Sequence, residues 1–382
     1  MKISKNKNRI FLFLFGTLLA LYLRFLLRNF VSGDYRDYLS RWINFFRDNS
    51  GAHAIKNLQS DYNVIYQYFL IIVSYLNLND LYLVKIFSII FDFLLAFGGM
   101  MLIGELGLDK QKQLICFFYI LLSPIVIINS SMWGQCDSIY AAFIVWSLYF
   151  LLKERPCLSI ICITLAFTFK LQTIFAAPIF LVALLYKKIK IRHIFIFLFT
   201  YSVTTIPALI LGKPLKDILM VYLIQTQGSS LMTMNSTSIF SLFNIVEYNA
   251  FLEKLSIILM ITLILTIIVL ICRKKVSFTP KFAFSSAFVF CLLVPFMLPH
   301  MHDRYFYVAE ILSIIYFMIH GIKRIYMPIL LQIAGLIVYA EYFGFSAGFS
   351  ITAQHGAVIV LSALILLLIN YFRDYFMQTE YS

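Results

Sequence analysis

Two acidic motifs near the N-terminus could supply a general base. Gly33-Asp34-Tyr35 follows the first long apolar run, with Asp37 just after it, and Asp61-Tyr62-Asn63 comes later in the same polar stretch. A carboxylate at the mouth of a cleft can take the proton from an acceptor hydroxyl as that hydroxyl attacks. The glycine before Asp34 permits a sharp exit from a helix. For each aspartate, the alternative is a loop side chain that is simply solvated.

A third motif, Trp133-Gly134-Gln135-Cys136-Asp137-Ser138, lies in a turn between two apolar segments. It combines an indole face with an amide and a carboxylate, which are groups that can cover and hydrogen-bond a sugar. A plain hairpin turn calls for small polar residues and not for these. We therefore predict that the motif contacts a sugar or an acceptor, with a purely structural turn as the alternative.

Two cationic motifs could hold a phosphate group. Phe169-Lys170-Leu171-Gln172 places a lysine between two short apolar segments, where it needs either an anion or a route for its chain to the lipid headgroups. Pro299-His300-Met301-His302-Asp303-Arg304 precedes another apolar segment. Its arginine can clamp phosphate oxygens with two N–H bonds, its histidines can donate to them, and a helix N-terminus favours an anion. A structural helix cap is the alternative.

His-x-His spacing also occurs in metal sites, but no third ligand is evident near His300 and His302. We therefore predict no metal. The sequence contains no glycine-rich phosphate loop, no serine-nucleophile motif and no Cys-x-x-Cys pair, and we predict no cofactor. The six cysteines show no ligand spacing, and we interpret them as small core residues.

The composition predicts the elements that must position these motifs. Hydrophobic residues make up 62% and charged residues 13% of the 382 positions, against about 45–50% and about 25% in a soluble domain. Apolar runs of about 20 residues recur, which suits helical membrane crossings, and the alternation that a barrel needs is absent. The net charge of +13 lies largely in short loops beside apolar runs. We expect a lipid bilayer as partner and no nucleic acid.

We predict an all-α, polytopic transmembrane bundle of about 11–12 helices, folded as a single integral membrane domain over residues 1–382. The predicted helices lie at 10–30, 81–104, 113–130, 138–152, 157–170, 173–186, 193–211, 251–272, 282–299, 305–320, 325–344 and 352–372. Lys85 and Asp92 fall two turns apart on one face of the second helix, where we expect an internal charge pair that stabilises the bundle.

The distribution of charge predicts the orientation. If the N-terminus is cytoplasmic, 19 of the 31 Lys and Arg residues but only five of the 18 acidic residues fall in cytoplasmic segments, as the positive-inside rule requires. Residues 31–80 then form an extracytoplasmic catalytic loop with two amphipathic helices, Tyr35–Arg47 and Tyr62–Leu76. Residues 212–250 form a second extracytoplasmic loop. We expect Tyr62, Tyr66, Tyr68 and Tyr75 to lie at the level of the lipid headgroups.

These motifs, in this order, resemble the GT-C superfamily of integral membrane glycosyltransferases. GDYRDYLSRW and SDYNVIYQYF resemble the first lumenal loop of the dolichyl-phosphoglucose-dependent glucosyltransferases. WGQCDSIYAAF, TFKLQ and PHMHDRYFY resemble a bacterial group related to the GPI-anchor mannosyltransferases. The chain departs from the pattern at Asn63-Val64, where the family has two prolines, and at Asp303, where His-Glu is common.

The resemblance implies transfer of a hexose, with inversion, from a polyprenyl-phosphate-linked sugar donor to a saccharide acceptor on the non-cytoplasmic face. Asp34 would be the base, His302 and Arg304 would hold the donor phosphate with His300 and Lys170 as helpers, and Gln135 and Asp137 would contact sugar or acceptor with Trp133. Asp37 and Asp61 are further candidates for acceptor binding. The Ile-, Lys- and Asn-rich composition is typical of an AT-rich bacterium, so we expect undecaprenyl phosphate and the plasma membrane.

Two other functions compete with this interpretation. A transporter or lipid-linked-sugar flippase would need charged groups along a path through both faces, often with paired repeats, whereas the predicted polar motifs lie on one side. A polysaccharide polymerase would share the compartment and the lipid substrate, but the chain lacks its usual pattern.

Overall fold

The computed structural model describes residues 2–227, 230–345 and 351–377. It is 77% helix and 2% strand. The α-helices are α1 (Lys2–Leu26), α2 (Ser40–Asp48), α3 (Val64–Tyr75), α4 (Asp80–Glu105), α5 (Lys110–Leu121), α6 (Pro124–Ile127), α7 (Asp137–Leu152), α8 (Pro156–Phe169), α9 (Ala177–Leu185), α10 (Ile194–Ile210), α11 (Leu215–Gln227), α12 (Ile239–Leu242), α13 (Ala250–Arg273), α14 (Pro280–Met297), α15 (Tyr307–His320), α16 (Tyr326–Tyr342) and α17 (Ala353–Tyr375).

Shorter elements connect these helices. Two π-helical turns span Tyr35–Leu39 and Ile128–Trp133, and 3₁₀ turns span Gly51–Lys56, Leu171–Ala176, Ile191–His193 and Ile322–Arg324. Two short strands, β1 (Thr233–Met234) and β2 (Met301–His302), pair in parallel.

The helices have the length and apolar character of an integral membrane protein. In the part of the chain that the structure describes, six helical segments are long and apolar enough to cross a bilayer. They are α4, α13, α14, α17, and α10 and α16 each taken together with the 3₁₀ turn before it. A seventh arises if α5 and the segment Pro124–Trp133, bent by 47° at their junction, form one span. The expectation of a helical membrane protein is confirmed at this level.

Capping residues set the ends of the long helices. Asn79 accepts the Tyr82 amide at the start of α4, and Thr279 accepts the Phe282 amide at the start of α14, which satisfies backbone donors that a helix N-terminus leaves open. Pro280 at the first position of α14 has no amide hydrogen to leave unpaired. Each of the twelve predicted segments contains a helix, and boundaries differ mostly by a few residues.

The described residues divide into two compact units. The first comprises Met1–Trp146, Thr164–Lys170 and Phe199–Val221. Its centre is α4, which packs on α5 and also contacts α2, α3 and the turn Ile128–Trp133. Arg47 ties α2 to the start of α4, since its guanidinium donates to Asp80 at 2.9 and 3.1 Å.

The second unit comprises Ser147–Ile163, Leu171–Leu198 and Tyr222–Ser382. Its centre is α14, which packs against α9, α13, α15 and α17. Every side chain of α14 from Phe282 to Met297 is buried. By contrast, α13 exposes most of its apolar side chains, as expected of a helix that faces lipid.

The expected pair between Lys85 and Asp92 is wrong. Asp92 instead accepts two bonds from Arg24 of α1, at 2.8 and 3.0 Å, and Lys85 donates to the carbonyl oxygens of Leu27, Arg28 and Phe30 at 2.7–3.1 Å. Two helical turns separate Lys85 from Asp92, which is about 10 Å of rise and too far for a direct contact. Asp92 therefore attaches α4 to α1, and Lys85 attaches it to the segment that follows α1.

The segment 212–250 contains α11 and α12, and its residues 228–229 lie outside the described residues. Two other expectations need correction. Tyr66 is buried at 1% exposure and not at a surface, because α3 turns that face toward the rest of the first unit. Cys157 and Cys272 are exposed near helix ends, whereas Cys116, Cys136 and Cys291 are buried as expected.

Candidate active site

Asp34 lies between the end of α1 and the π-helical turn Tyr35–Leu39, where it is partly buried. Its Oδ2 accepts a hydrogen bond from Trp133 Nε1 at 3.0 Å and a second, short bond from Gln135 Nε2. Two motifs about a hundred positions apart in sequence therefore meet at one carboxylate. The indole and amide donors fix its direction, because each bond constrains the same oxygen.

The turn that carries Trp133 and Gln135 has an irregular backbone. The π-helical turn Ile128–Trp133 ends at Gly134 with φ +76°, a left-handed conformation that glycine adopts without strain. The backbone N–H of Gln135 then donates to the backbone carbonyl of Asn129 at 2.9 Å. Ser32 Oγ donates to the Trp133 carbonyl at 2.6 Å and ties this turn to the segment before Asp34.

Tyr62 joins the cluster from the segment just before α3. Its hydroxyl donates to Gln135 Oε1 at 3.4 Å and accepts from Cys136 Sγ at 3.6 Å. Gln135 thus contacts Asp34 through its amide nitrogen and Tyr62 through its amide oxygen. Among the other aspartates of this region, Asp61 is exposed, and Asp37 is roughly half exposed and pairs with Arg36 at 3.3 Å.

Asp137 and Lys170 form a buried ion pair in the same unit. The Lys170 ammonium donates to Asp137 Oδ1 in a short bond and lies 5.6 Å from the Tyr140 ring centroid. Asn129 Nδ2 donates to Asp137 Oδ2 at 2.9 Å. Lys170 is only 7% exposed, so the alternative in which it extends to the headgroups is wrong. Its role toward a phosphate stays a prediction.

The histidine and arginine motif lies in the second unit. β2 carries Met301 and His302 and pairs with β1 in the register Met234 to His302. His302 is partly buried, and its ring lies 5.1 Å from that of Tyr305. Arg304 Nη1 contacts Asp303 Oδ1 at 3.3 Å, and the two side chains are 14% and 6% exposed.

The environment of His300 differs from those of His302 and Arg304, the other two residues of this motif that are predicted to hold the donor phosphate. Its backbone has φ +60°, its Nδ1 lies 2.5 Å from the Leu231 carbonyl oxygen, and its Nε2 lies 3.4 Å from Glu253 Oε1. Its ring also stacks on Tyr248 with 6.1 Å between centroids. These contacts engage both ring nitrogens, so His300 holds the loop before β2 to the segment around Leu231.

One titration beside the candidate base has a clear direction. Burial and, secondarily, the charge on Asp80 raise the pKa of Tyr35. The phenol next to Asp34 in the chain therefore stays protonated and neutral at physiological pH.

Within residues 2–227, 230–345 and 351–377, no group of three or more His, Cys, Asp or Glu side chains is arranged to hold a metal ion.

The first unit thus brings together Asp34, Trp133 and Gln135, and beside them Asp137 and Lys170, all of which the sequence motifs single out. Three of their partners, Ser32, Asn129 and Tyr140, were not predicted. Asn129 carried a usable signal, because a polar side chain in an otherwise apolar membrane segment usually has a partner. Ser32 carried no such signal, because its hydrogen bond goes to the backbone carbonyl of Trp133, a hundred residues away in the chain.

An oriented carboxylate next to an indole and an amide can receive a proton from a bound hydroxyl. A partly buried arginine, here two positions after a histidine, can bind an anion. No protein-family model matches this chain, and no curated protein matches it. The resemblance to a known superfamily therefore rests on the motifs themselves.

Proposed function

We propose that this chain is a membrane-embedded glycosyltransferase that moves a hexose from a polyprenyl-phosphate-linked donor to an acceptor glycan, such as a cell-wall polysaccharide, or to a lipid-linked saccharide. The observation that carries the proposal is the convergence of Trp133 and Gln135 on the Asp34 carboxylate. An aspartate that is merely solvated needs no such partners. A carboxylate held by an aromatic side chain and an amide has the composition of a sugar-binding catalytic group.

In the proposed reaction, Asp34 takes the proton from the acceptor hydroxyl as its oxygen attacks the anomeric carbon. The bond from that carbon to the phosphate oxygen breaks, and polyprenyl phosphate leaves with the electron pair. Attack from the face opposite the leaving group inverts the anomeric configuration. The reaction needs no metal if fixed cations stabilise the charge that develops on the departing phosphate.

His302 and Arg304 are the proposed donor-phosphate groups, with the reaction on the non-cytoplasmic side of a bacterial plasma membrane. The partly buried guanidinium of Arg304 supports this role, because a desolvated cation interacts more strongly with a phosphate than an exposed one does. The contacts of His300 and Lys170 favour a positioning role for these two residues. A lipid donor is compatible with catalytic groups beside apolar helices, since its tail stays in the bilayer.

The decisive experiment is incubation of the purified protein with undecaprenyl-phosphate-linked hexoses and candidate acceptors. We expect release of undecaprenyl phosphate together with an extended saccharide. The flippase alternative predicts movement of intact lipid between the leaflets of a proteoliposome without cleavage of the sugar–phosphate bond. That outcome, with no released phosphate, would replace the proposed function.

A further inference from the structure

Three aromatic side chains form a continuous row next to the Asp34 cluster. The ring centroids of Tyr38 and Trp42 lie 5.9 Å apart, and those of Trp42 and Tyr62 lie 5.8 Å apart. We call Tyr38, Trp42 and Tyr62 the aromatic row. Tyr62 stacks at 4.6 Å on Tyr66, which is buried and anchors that end. Tyr38 at the other end is 53% exposed.

The sequence explains how the row arises. Tyr38 and Trp42 are four positions apart in the continuous helical stretch formed by Tyr35–Leu39 and α2, so they lie on one face. The packing of α2 on α3 brings Tyr62 to the same face. Ile43 and Phe46 of α2 are buried, and Phe46, four positions after Trp42, lies beside the row on the helix surface. The row therefore borders the apolar contacts that hold α2 in place, and Tyr38, at 53% exposure, is its accessible end.

The row begins at the candidate base. Tyr62 donates to Gln135 Oε1, and Gln135 Nε2 donates to Asp34. From there, the rings lead through Trp42 to the exposed ring of Tyr38. Two carboxylates lie in the chain directly beside the row, since Asp61 precedes Tyr62 and Asp37 precedes Tyr38, and both are accessible.

We propose that the aromatic row is a binding platform for an acceptor oligosaccharide, which holds sugar units beyond the one whose hydroxyl reaches Asp34. Aromatic faces cover the apolar faces of sugar rings, and carboxylates accept hydrogen bonds from their hydroxyls. Because the row extends over several rings, the acceptor is an oligosaccharide and not a monosaccharide. This inference rests on the proposed function for the direction of transfer, but not for binding itself.

Aromatic side chains also occur at membrane interfaces, where each ring anchors the protein at the headgroup level. That role explains an exposed Tyr38 but not the contacts among the rings, nor the hydrogen bond from Tyr62 to Gln135. The observations therefore favour the saccharide, and the interface role is one outcome of the test.

The test is titration of the full-length protein in detergent with cellotetraose, maltotetraose, mannotetraose and chitotetraose, and with the corresponding monosaccharides. We expect calorimetry to detect at least one tetrasaccharide that binds tenfold or more tightly than its monosaccharide. Trp42→Ala should weaken that binding about tenfold, the effect of one aromatic contact of ordinary size, and Trp42→Phe should recover most of it. Tryptophan fluorescence should respond to the sugar in the wild type and much less in Trp42→Phe.

The control is Tyr22→Ala, which removes an aromatic ring of α1 that is 58% exposed and distant in sequence from the row. Its saccharide affinity should equal that of the wild type. The proposal is overturned if no tetrasaccharide binds, or if Trp42→Ala binds as tightly as the wild type. Equal affinity together with a lower melting temperature of Trp42→Ala in nanodiscs would identify the ring as an interface anchor.

Release of undecaprenyl phosphate, measured on the same preparations, separates this proposal from the proposed function. If saccharide binding depends on Trp42 but no sugar is transferred, the aromatic row is a saccharide-binding site and the proposed glycosyltransferase activity is wrong. If Trp42→Ala transfers sugar at the wild-type rate at low acceptor concentration, the glycosyltransferase activity stands and the aromatic row does not bind the acceptor.

Discussion

At the scale of single residues, Asp34 has the most specific set of contacts. A carboxylate next to Trp133 and Gln135 could serve only to hold that turn, and substitution separates this role from catalysis. Asp34→Asn keeps the shape and can still accept the indole N–H bond at 3.0 Å. It cannot take up a proton, however, so we expect the rate of transfer to fall by about 10²–10⁴-fold. The measurement is single-turnover release of undecaprenyl phosphate at saturating donor.

Asp48→Asn is the matched control for Asp34→Asn, because Asp48 is an exposed carboxylate at the end of α2, away from the cluster. This variant should turn over at the wild-type rate, and both variants should bind donor as the wild type does. Wild-type turnover by Asp34→Asn would remove Asp34 from the role of base.

The buried pair of Lys170 and Asp137 predicts an effect on stability. Lys170→Met leaves the buried carboxylate without its ammonium partner, and loss of one partner of a buried ion pair costs about 3–5 kcal/mol. The double variant, with Asp137→Asn added, also removes the carboxylate charge. The side-chain oxygen of the new asparagine can still accept the hydrogen bond from Asn129. We therefore expect Lys170→Met to lower the unfolding midpoint strongly and the double variant to recover most of it. If the double variant is as unstable as the single one, the pairing does not determine stability.

Arg304 predicts an effect on donor capture. Its guanidinium is partly buried beside Asp303, and Arg304→Gln removes the charge while it keeps polar N–H groups. We expect the donor Km to rise about tenfold or more, as for the loss of a charge-assisted hydrogen bond, while the acceptor Km stays the same. Steady-state kinetics with each substrate varied in turn measures this. An unchanged donor Km would exclude Arg304 from phosphate binding.

At the scale of elements, the end of α1 determines where Asp34 lies. Lys85 from α4 donates to three carbonyl oxygens at that end, and its side chain also passes beside Gly134, since a Cβ at Gly134 would meet Lys85 Cγ at 3.8 Å. One lysine therefore contacts both segments that form the Asp34 cluster. Its three acceptors are backbone carbonyls of the segment that directly follows α1 and leads to Asp34.

Lys85→Met should loosen this junction, because the carbonyl oxygens of Leu27, Arg28 and Phe30 lose a charged donor. Hydrogen bonds to charged groups contribute about 1.5–3 kcal/mol, so we expect a lower unfolding midpoint. We also expect a lower kcat at an unchanged donor Km, since the change displaces the base and not the phosphate groups. Lys112→Met, at an exposed position of α5, is the control and should change neither. A lower midpoint with full kcat would limit Lys85 to a structural role.

The contrast between regular and irregular elements explains what the sequence could predict. Long apolar runs bounded by capping residues such as Asn79 and Thr279 define α4 and α14 closely, because each helix satisfies its own backbone. The partners of Lys85 and Asp92 were missed, since they lie on α1 or just after it and spacing within α4 carries no information about a neighbouring segment. α11 was missed because residues 212–250 were assigned as a whole to an extracytoplasmic loop, within which its 13 residues lie.

The candidate site was predicted as a set of residues but not as a geometry. The side-chain types of Asp34, Trp133 and Gln135 indicated sugar chemistry before any fold was known. The π-helical turn before Gly134, which aims the indole and the amide at one oxygen, has no comparable signal in the sequence. The bond from Ser32 to the Trp133 carbonyl likewise depends on the tertiary fold.

At the scale of the whole chain, some contacts within each unit join loops that the charge distribution assigns to the same side of the membrane. In the first unit, Lys213 from the second long loop donates to the carbonyl oxygens of Ile55 and Leu58 in the first. In the second unit, Lys188 bonds Glu154, and both belong to loops that the charge distribution assigns to one face. In these two cases the contacting loops have the same predicted side, and the side itself stays a prediction.

The orientation itself can be measured with cysteines that the chain already has. Cys157 and Cys272 are exposed, and Cys116, Cys136 and Cys291 are buried. Both exposed thiols lie at helix ends that the charge distribution assigns to the cytoplasm. A membrane-impermeant maleimide should therefore label the wild type in inverted membrane vesicles but not in intact cells. Asn49→Cys, at an exposed position between α2 and α3, should become labelled from outside intact cells. Labelling of the wild-type thiols in intact cells would reverse the predicted orientation and place Asp34 in the cytoplasm, where a donor presented on the outer face could not reach it.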